Sequence, residues 1–167
     1  MTSEYRSSLV EIEHHLRRID SLRRAIGGHR GAGQLARIAI EGIWNRGEFA
    51  LADVLFTADY VNHGGLITDL VRGPEAIKFS VALFRTAFPT FHIAMDALTA
   101  DQTAVEARWV AYDREAVDGS PRKGHGLRGI TRCRLECGKI AESWTVWDRR
   151  SGLTEWALIQ EALGGQA

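Results

Sequence analysis

Three observations in this sequence predict an α+β fold, a cone-shaped α+β barrel in which a strongly curved antiparallel sheet packs on N-terminal helices. Up to Phe88 the apolar residues recur at helical steps of three and four. From Thr90 to Asp148 they alternate with polar residues at a period of two, which is strand patterning. A chain of 167 residues is long enough to bury one core, and helices followed by strands make an α+β domain whose curled sheet encloses a pocket.

The first element, Ser3 to Ile26, sets Leu9, Ile12, Leu16, Ile19, Leu22 and Ile26 on one face, an extra N-terminal amphipathic helix. Gly27, Gly28, Gly31 and Gly33 break it, so residues 1–33 form an arm with a glycine-rich joint and residues 34–167 form the barrel domain. Arg17, Arg18, Arg23 and Arg24 are read as a solvated face of that arm. A second helix runs from Gln34 to Trp44, and Asn45-Arg46-Gly47 stops it. A third covers Glu48 to Phe56. Tyr60-Val61-Asn62-His63-Gly64-Gly65 is then a short extended piece that delivers an amide and an imidazole into a loop, a placement that often carries function. The alternative is that Asn62 and His63 only shape the turn. Gly73-Pro74-Glu75 starts a helix, because proline is preset for the first helical position and the acid suits its positive end. That helix aligns Ile77, Val81, Phe84 and Phe88 and ends at Pro89.

The strands come next. Phe91, Ile93, Met95 and Ala97 alternate with His92, Ala94 and Asp96; after a turn at Ala100-Asp101-Gln102, Val105 to Tyr112 alternates again. Asp118-Gly119-Ser120-Pro121 is turn chemistry, and Gly124 to Leu135 is a third long strand that contains Arg128, Arg132 and Arg134 on one face. Glu136 to Lys139 reverses the chain into Ile140 to Asp148. Alternation there groups Glu142, Trp144, Val146 and Asp148 on one face and Ser143, Thr145 and Trp147 on the other. An acid on the inner face of such a sheet is a candidate for proton chemistry. Gly152 to Leu163 closes the chain as a helix anchored by Trp156 and Ile159.

Composition narrows the partners. Basic and acidic residues balance to a formal net charge of zero, so no global field recruits nucleic acid or anionic membrane. A small molecule or another protein is the expected partner. The sequence contains no apolar run of about 18 residues and no apolar leader, which points to the cytoplasm. Cys133 and Cys137, with no second pair, are read as reduced thiols, and the histidines lack any ligand spacing, so no metal is expected. His92 and His125 are read as surface or strand-edge residues.

Taken together, Asn45-Arg46-Gly47, Tyr60-Val61-Asn62-His63, Gly73-Pro74-Glu75, Ala87-Phe88-Pro89, Gly138 to Trp144 and Trp147-Asp148 resemble the SnoaL-like polyketide cyclases, a family of the nuclear transport factor 2-like, ketosteroid isomerase-like superfamily. The likeness spans Gln34 to Asp148 in the right order. It implies a cone with a hydrophobic pocket, a homodimer, and an intramolecular aldol closure without metal or cofactor. It also implies that Asp148, at the end of the last long strand, is the general acid and base, and that Asn62 and His63 line the same pocket. Two features depart from the family pattern: Ser143 stands where many relatives have histidine before the strand tryptophan, and the N-terminal arm lies outside the family core.

The chemistry that follows is acid–base catalysis on an apolar carbonyl compound. Asp148 removes a proton beside the carbonyl if Trp144 and Val146 raise its pKa by burial, and Asn62, His63 or Arg128 donates to the enolate oxygen. Trp144, Arg128, Trp109, Tyr60 and Phe84 are the expected substrate contacts. Packing in the core or a dimer interface is the competing role for the tryptophans, and an ion pair with Arg149, Arg150 or Arg128 for Asp148. Two other readings stand beside the cyclase: an epoxide hydrolase built on Asp148, Arg128 and Asp96, and a non-catalytic ligand-binding or dimerisation module.

Overall fold

A computed structural model describes residues 17, 31–63, 70–113 and 127–147. Apart from Arg17, the expected arm helix from Ser3 to Ile26 lies outside the described residues, as do His125, Asp148 and the closing helix from Gly152 to Leu163. The described chain runs through α1 (Gly31–Ile38), a π-helical segment (Ala39–Asn45), α2 (Ala50–Leu55), β1 (Phe56–Asn62), α3 (Pro74–Ala87), β2 (Phe91–Ala100), β3 (Ala104–Asp113), β4 (Leu127–Glu136) and β5 (Lys139–Trp147). The strands lie in the order β1-β5-β4-β3-β2. Neighbours β2 to β5 pair antiparallel, whereas β1 joins β5 in parallel.

The class is the α+β one that the sequence predicts, and two local readings change. What reads as a short extended piece before Asn62 is a strand of seven residues that makes the sheet mixed. Gly31 and Gly33, read from the sequence as part of a joint, are helical residues of α1. A Cβ at Gly33 would come 3.1 Å from Leu98 Cδ2, so the missing side chain lets α1 lie close on β2.

The predicted second helix continues past Ile38 with a wider turn, and its end is held by side chains from two other elements. The Asn45 amide accepts from Ile93 N at 2.8 Å and donates to Ile93 O at 2.9 Å, the pairing that a neighbouring strand would make. Arg85 Nη1 donates to the carbonyls of Trp44 and Asn45 at 3.1 and 2.9 Å, which satisfies groups that a helix end leaves orphaned. In α3, Pro74 and Glu75 occupy the first turn and Ala76, Ile77, Ser80, Val81 and Phe84 are buried at helical spacing. Gly73, which precedes it, has φ 74° and donates its N–H to Tyr60 O at 2.8 Å, and a Cβ there would meet Ala58 O at 2.5 Å. Only glycine fits this junction between β1 and α3. At the far end Phe84 meets Trp44, Phe88 and Phe91 with ring centroids 5.7, 6.3 and 6.0 Å away, an aromatic cluster that ties α3 to the π-helical segment and β2.

Two bulges set which way the sheet's side chains point. On β2, Met95 pairs with Trp109 and Ala97 with Arg108, so Asp96 is the extra residue. On β5, Glu142 pairs with Arg134 and Ile140 with Leu135, which leaves Ala141 over. A bulge bends its strand and increases the twist, which suits a sheet that curls over helices. Val105, Ala107, Trp109, Cys133 and Ser143 are buried on the concave side, while Arg132, Arg134, Trp144 and Val146 are exposed on the other.

Candidate functional site

Between the helices and the concave face lies a cavity of about 90 Å³, room for several water molecules at roughly 10–15 Å³ each. It is lined by members of both core clusters, Ala36, Ile77, Val105 and Ile140 of the larger and Ile40, Ile93, Ala107 and Trp109 of the smaller. Its walls are mostly apolar: Ala36, Ala39, Ile40 and Trp44 on the helical side, and Val105 and Ala107 on the sheet.

Two chains of polar side chains interrupt this surface. In the first, the Tyr60 hydroxyl meets Ser143 Oγ at 2.6 Å, Ser143 Oγ donates to Asn62 Oδ1 at 3.4 Å, Asn62 Nδ2 donates to Ser80 Oγ at 3.4 Å, and Ser80 donates to Ala76 O at 3.1 Å. The alternation of β1 turns both Tyr60 and Asn62 inward, and the parallel pairing places Asn62 opposite Ser143. In the second, Trp109 Nε1 donates to Thr131 Oγ1 at 2.9 Å, and Thr131 meets Thr145 Oγ1 at 3.0 Å across the β4–β5 ladder. Trp109 lies flat over Gly129, its partner across β3 and β4; a Cβ there would overlap the indole.

The titratable groups among the described lining residues are Tyr60 and Cys133. Burial pushes the Tyr60 phenol well above its ordinary value, against the opposing pull of the Ser143 hydrogen bond. Burial likewise pushes the Cys133 thiol up to about 12. Both are neutral near pH 7, so neither removes a proton from a carbon acid there.

The structure brings three of the sequence-predicted site residues together, Asn62, Tyr60 and Trp109, all on the cavity wall. Asp148 lies outside the described residues. His63 is not in the cavity with Asn62, because the next residue along a strand points the other way. Its Nε2 meets Glu142 Oε2 at 2.8 Å and its ring stacks on Trp144 at 4.7 Å with 4° between the planes. Glu142 also accepts from Arg134 Nε at 2.7 Å, and the His63 bond first and Arg134 second hold its carboxyl below the usual glutamate range. Trp144 is therefore on the outside, 40% exposed, and the face grouped with Asp148 in the sequence (Glu142, Trp144, Val146) is turned away from the cavity. Arg128 is exposed and so is Asp96 at its bulge, and neither lines the cavity. Phe84 is 2% exposed inside its aromatic cluster and is not a lining residue.

Sequence reasoning missed Ser80, Ser143, Thr131 and Thr145. Ser143 reads as the loss of an imidazole, yet its hydroxyl is the centre of the first chain. The available signal was the Ser143/Thr145 alternation itself: small polar residues at these two positions leave room for a cavity.

Residues 34–155, well over half of the chain, match the family described as SnoaL-like polyketide cyclase. No curated protein matches. Among solved structures, a protein from Acidithiobacillus ferrooxidans described as a polyketide cyclase is similar with a TM-score of 0.57 at 22% identity, over 76% of this chain and 93% of that one. IdmH from Streptomyces antibioticus, also described as a polyketide cyclase, gives 0.56 at 20% identity over 75% and 96%. AclR from Streptomyces galilaeus, described as a hydroxylase, gives 0.54 at 18% over 74% and 92%. At these identities the likeness is one of fold.

Proposed function

Since this chain belongs to the SnoaL-like polyketide cyclase family, we propose that it is a cofactor-independent cyclase or isomerase that uses acid–base chemistry on a small apolar carbonyl compound, in the manner of an intramolecular aldol closure. The observation that carries this reading is the largely apolar cavity with the Tyr60–Ser143–Asn62 chain in its wall. Holding a flexible substrate folded between apolar walls supplies proximity, and polar groups at one place in the wall fix its orientation. The Ser143–Asn62 and Asn62–Ser80 links are long, 3.4 Å each, so a ligand oxygen displaces them at little cost and takes the Ser143 hydroxyl or the Asn62 amide as donor to a developing enolate. Tyr60, bonded to Ser143 at 2.6 Å, strengthens that donor.

The described titratable wall residues are neutral near pH 7, and the family resemblance assigns the base to Asp148, the residue directly after β5. This requires the chain to leave the β5 alternation there, since Glu142, Trp144 and Val146 face away from the cavity. On this reading Asp148→Asn abolishes turnover of a poly-β-ketone ester and leaves the ligand's affinity within about threefold, a loss of about 10²–10⁴ being the ordinary worth of such a base. Unchanged turnover would remove Asp148 from the mechanism. Binding by the wild type with no turnover of any carbonyl substrate favours a ligand-binding module, the reading supported by the neutral wall.

The same proposal includes a homodimer in the cytoplasm. Ile130 and Val146, opposite one another on β4 and β5, are 38% and 64% exposed beside Trp144, an apolar patch on the outer sheet face. Val146→Glu then yields a monomer by light scattering; a species of unchanged mass refutes this interface. Both cysteines are free, as a reducing compartment keeps them, and no helix among the described residues is long and apolar enough to cross a membrane.

A further inference from the structure

The two polar chains in the cavity differ in how they use their hydrogens. In the first, Tyr60 donates to Ser143, Ser143 to Asn62 and Ser80 to Ala76 O, so each hydroxyl hydrogen has an acceptor. The second chain contains the Trp109 N–H and two hydroxyls, three polar hydrogens, but only two hydrogen bonds join the three side chains. Indole N–H is a donor only, so Thr131 must accept from it. A hydroxyl that accepts becomes a better donor, and the acceptor nearest to Thr131 is Thr145 Oγ1 at 3.0 Å. That direction leaves the Thr145 hydrogen over. Neither threonine side chain makes another hydrogen bond among the described residues, and both line the cavity. A polar hydrogen directed into an apolar cavity is costly unless a ligand or water accepts it.

We propose that Thr145 is the hydrogen-bond donor that orients a carbonyl oxygen of the ligand, with Trp109 and Thr131 relaying polarisation from behind it. This rests on the reading of the cavity as the site for an apolar carbonyl compound, and it adds a specificity residue to that site. The ligand class is thereby restricted to compounds whose oxygen reaches the β4–β5 wall while their carbon skeleton lies against Ile40, Trp44 and Ala107. Gly129 is part of the device, because only the absence of a side chain there keeps the indole flat and its N–H on Thr131.

The test compares two probes of the same shape, 1-indanone and indane, titrated into the full-length protein by protein-detected NMR. Thr145→Val replaces a hydroxyl by a methyl of nearly the same size. It should weaken 1-indanone by about five- to tenfold and leave indane within about twofold, the scale of one lost neutral hydrogen bond. Thr145→Ser, which keeps the hydroxyl, should restore the ketone to near wild-type affinity. With carbonyl-labelled indanone, the infrared stretch should rise on going from wild type to Thr145→Val and return with Thr145→Ser. Equal weakening of both probes by Thr145→Val, an unmoved carbonyl stretch, or failure of serine to restore it overturns the proposal and leaves the cavity reading intact. If neither probe binds the wild type, the cavity reading falls and takes this proposal with it.

Discussion

Gly129→Ala places a methyl group where the Trp109 ring now lies, since an ideal Cβ at position 129 overlaps Cζ2, Cη2 and Cε2 of the indole. Trp109 is 5% exposed, so the ring can yield only toward the cavity that it lines. Overpacking of this kind costs about 1–3 kcal/mol, and displacement of the indole N–H from Thr131 adds about 1 kcal/mol. The sum, about 2–4 kcal/mol, corresponds to a fall in Tm of roughly 4–16 °C for a chain of this size. Urea unfolding followed by circular dichroism gives the free energy without relying on tryptophan emission. The decisive comparison is a double-mutant cycle with Trp109→Leu, which removes the six-membered ring that the methyl group meets. In that background Gly129→Ala should stabilise by about 0.5–1 kcal/mol, the ordinary gain of alanine over glycine within a strand. A cost that is the same in both backgrounds, or below about 1 kcal/mol in the wild type, would refute the argument that the indole and the glycine are fitted to each other.

Three further outcomes follow from the same geometry. Asn45→Ala leaves the N–H and C=O of Ile93 without the partners now at 2.8 and 2.9 Å, and should destabilise by about 1–3 kcal/mol in urea; a loss under about 0.5 kcal/mol would show that water replaces the amide without penalty. The Glu142 carboxyl is held low by His63 and Arg134, so its contribution is present above the ordinary glutamate pKa of about 4.3 and is lost as pH falls below it. Glu142→Gln should therefore flatten the acid limb of a plot of urea midpoint against pH, and an unaltered limb would assign that limb to other carboxylates. Cys133 is buried with its thiol pushed up to about 12, whereas Cys137 is exposed on the β4–β5 turn. Iodoacetamide at neutral pH should label Cys137 alone in the native protein and both in urea, read by intact mass; native labelling of Cys133 would mean that the sheet opens on the labelling timescale.

The meander was legible because period-two alternation is a local signal, and β2, β3, β4 and β5 occur where it runs. The start of α3 was legible because Gly73, Pro74 and Glu75 each act on the adjacent backbone. What was not legible is non-local. Nothing near Phe56–Asn62 specifies a parallel partner more than seventy residues later, and nothing in Ala39–Asn45 specifies a π-helical segment, whose end is held by Ile93 and Arg85 from elsewhere. Among the described residues of β5, Ser143 is buried whereas Trp144 and Val146 are exposed, so the side with Trp144, an expected substrate contact, faces out. Tryptophans are usually buried, so Trp144 was read as an inward contact; Ser143 and Thr145 take that side of β5, and Trp144 stacks on the His63 ring instead. That reading moved attention from Ser143 and Thr145 to Trp144.

The parallel seam between β1 and β5 also determines when the site comes into being. Tyr60 and Ser143 are separated by 83 positions and Asn62 and Ser143 by 81, whereas the β2–β3 and β4–β5 pairs close over short turns. During synthesis, at roughly 5–20 residues per second, β1 therefore waits on the order of several seconds for the strand that completes its hydrogen bonds. Until then the helices carry an open apolar trough, the kind of surface that holding chaperones recognise. Such late closure makes folding slow for the domain's size and leaves the Tyr60–Ser143–Asn62 chain as the last part of the wall to form.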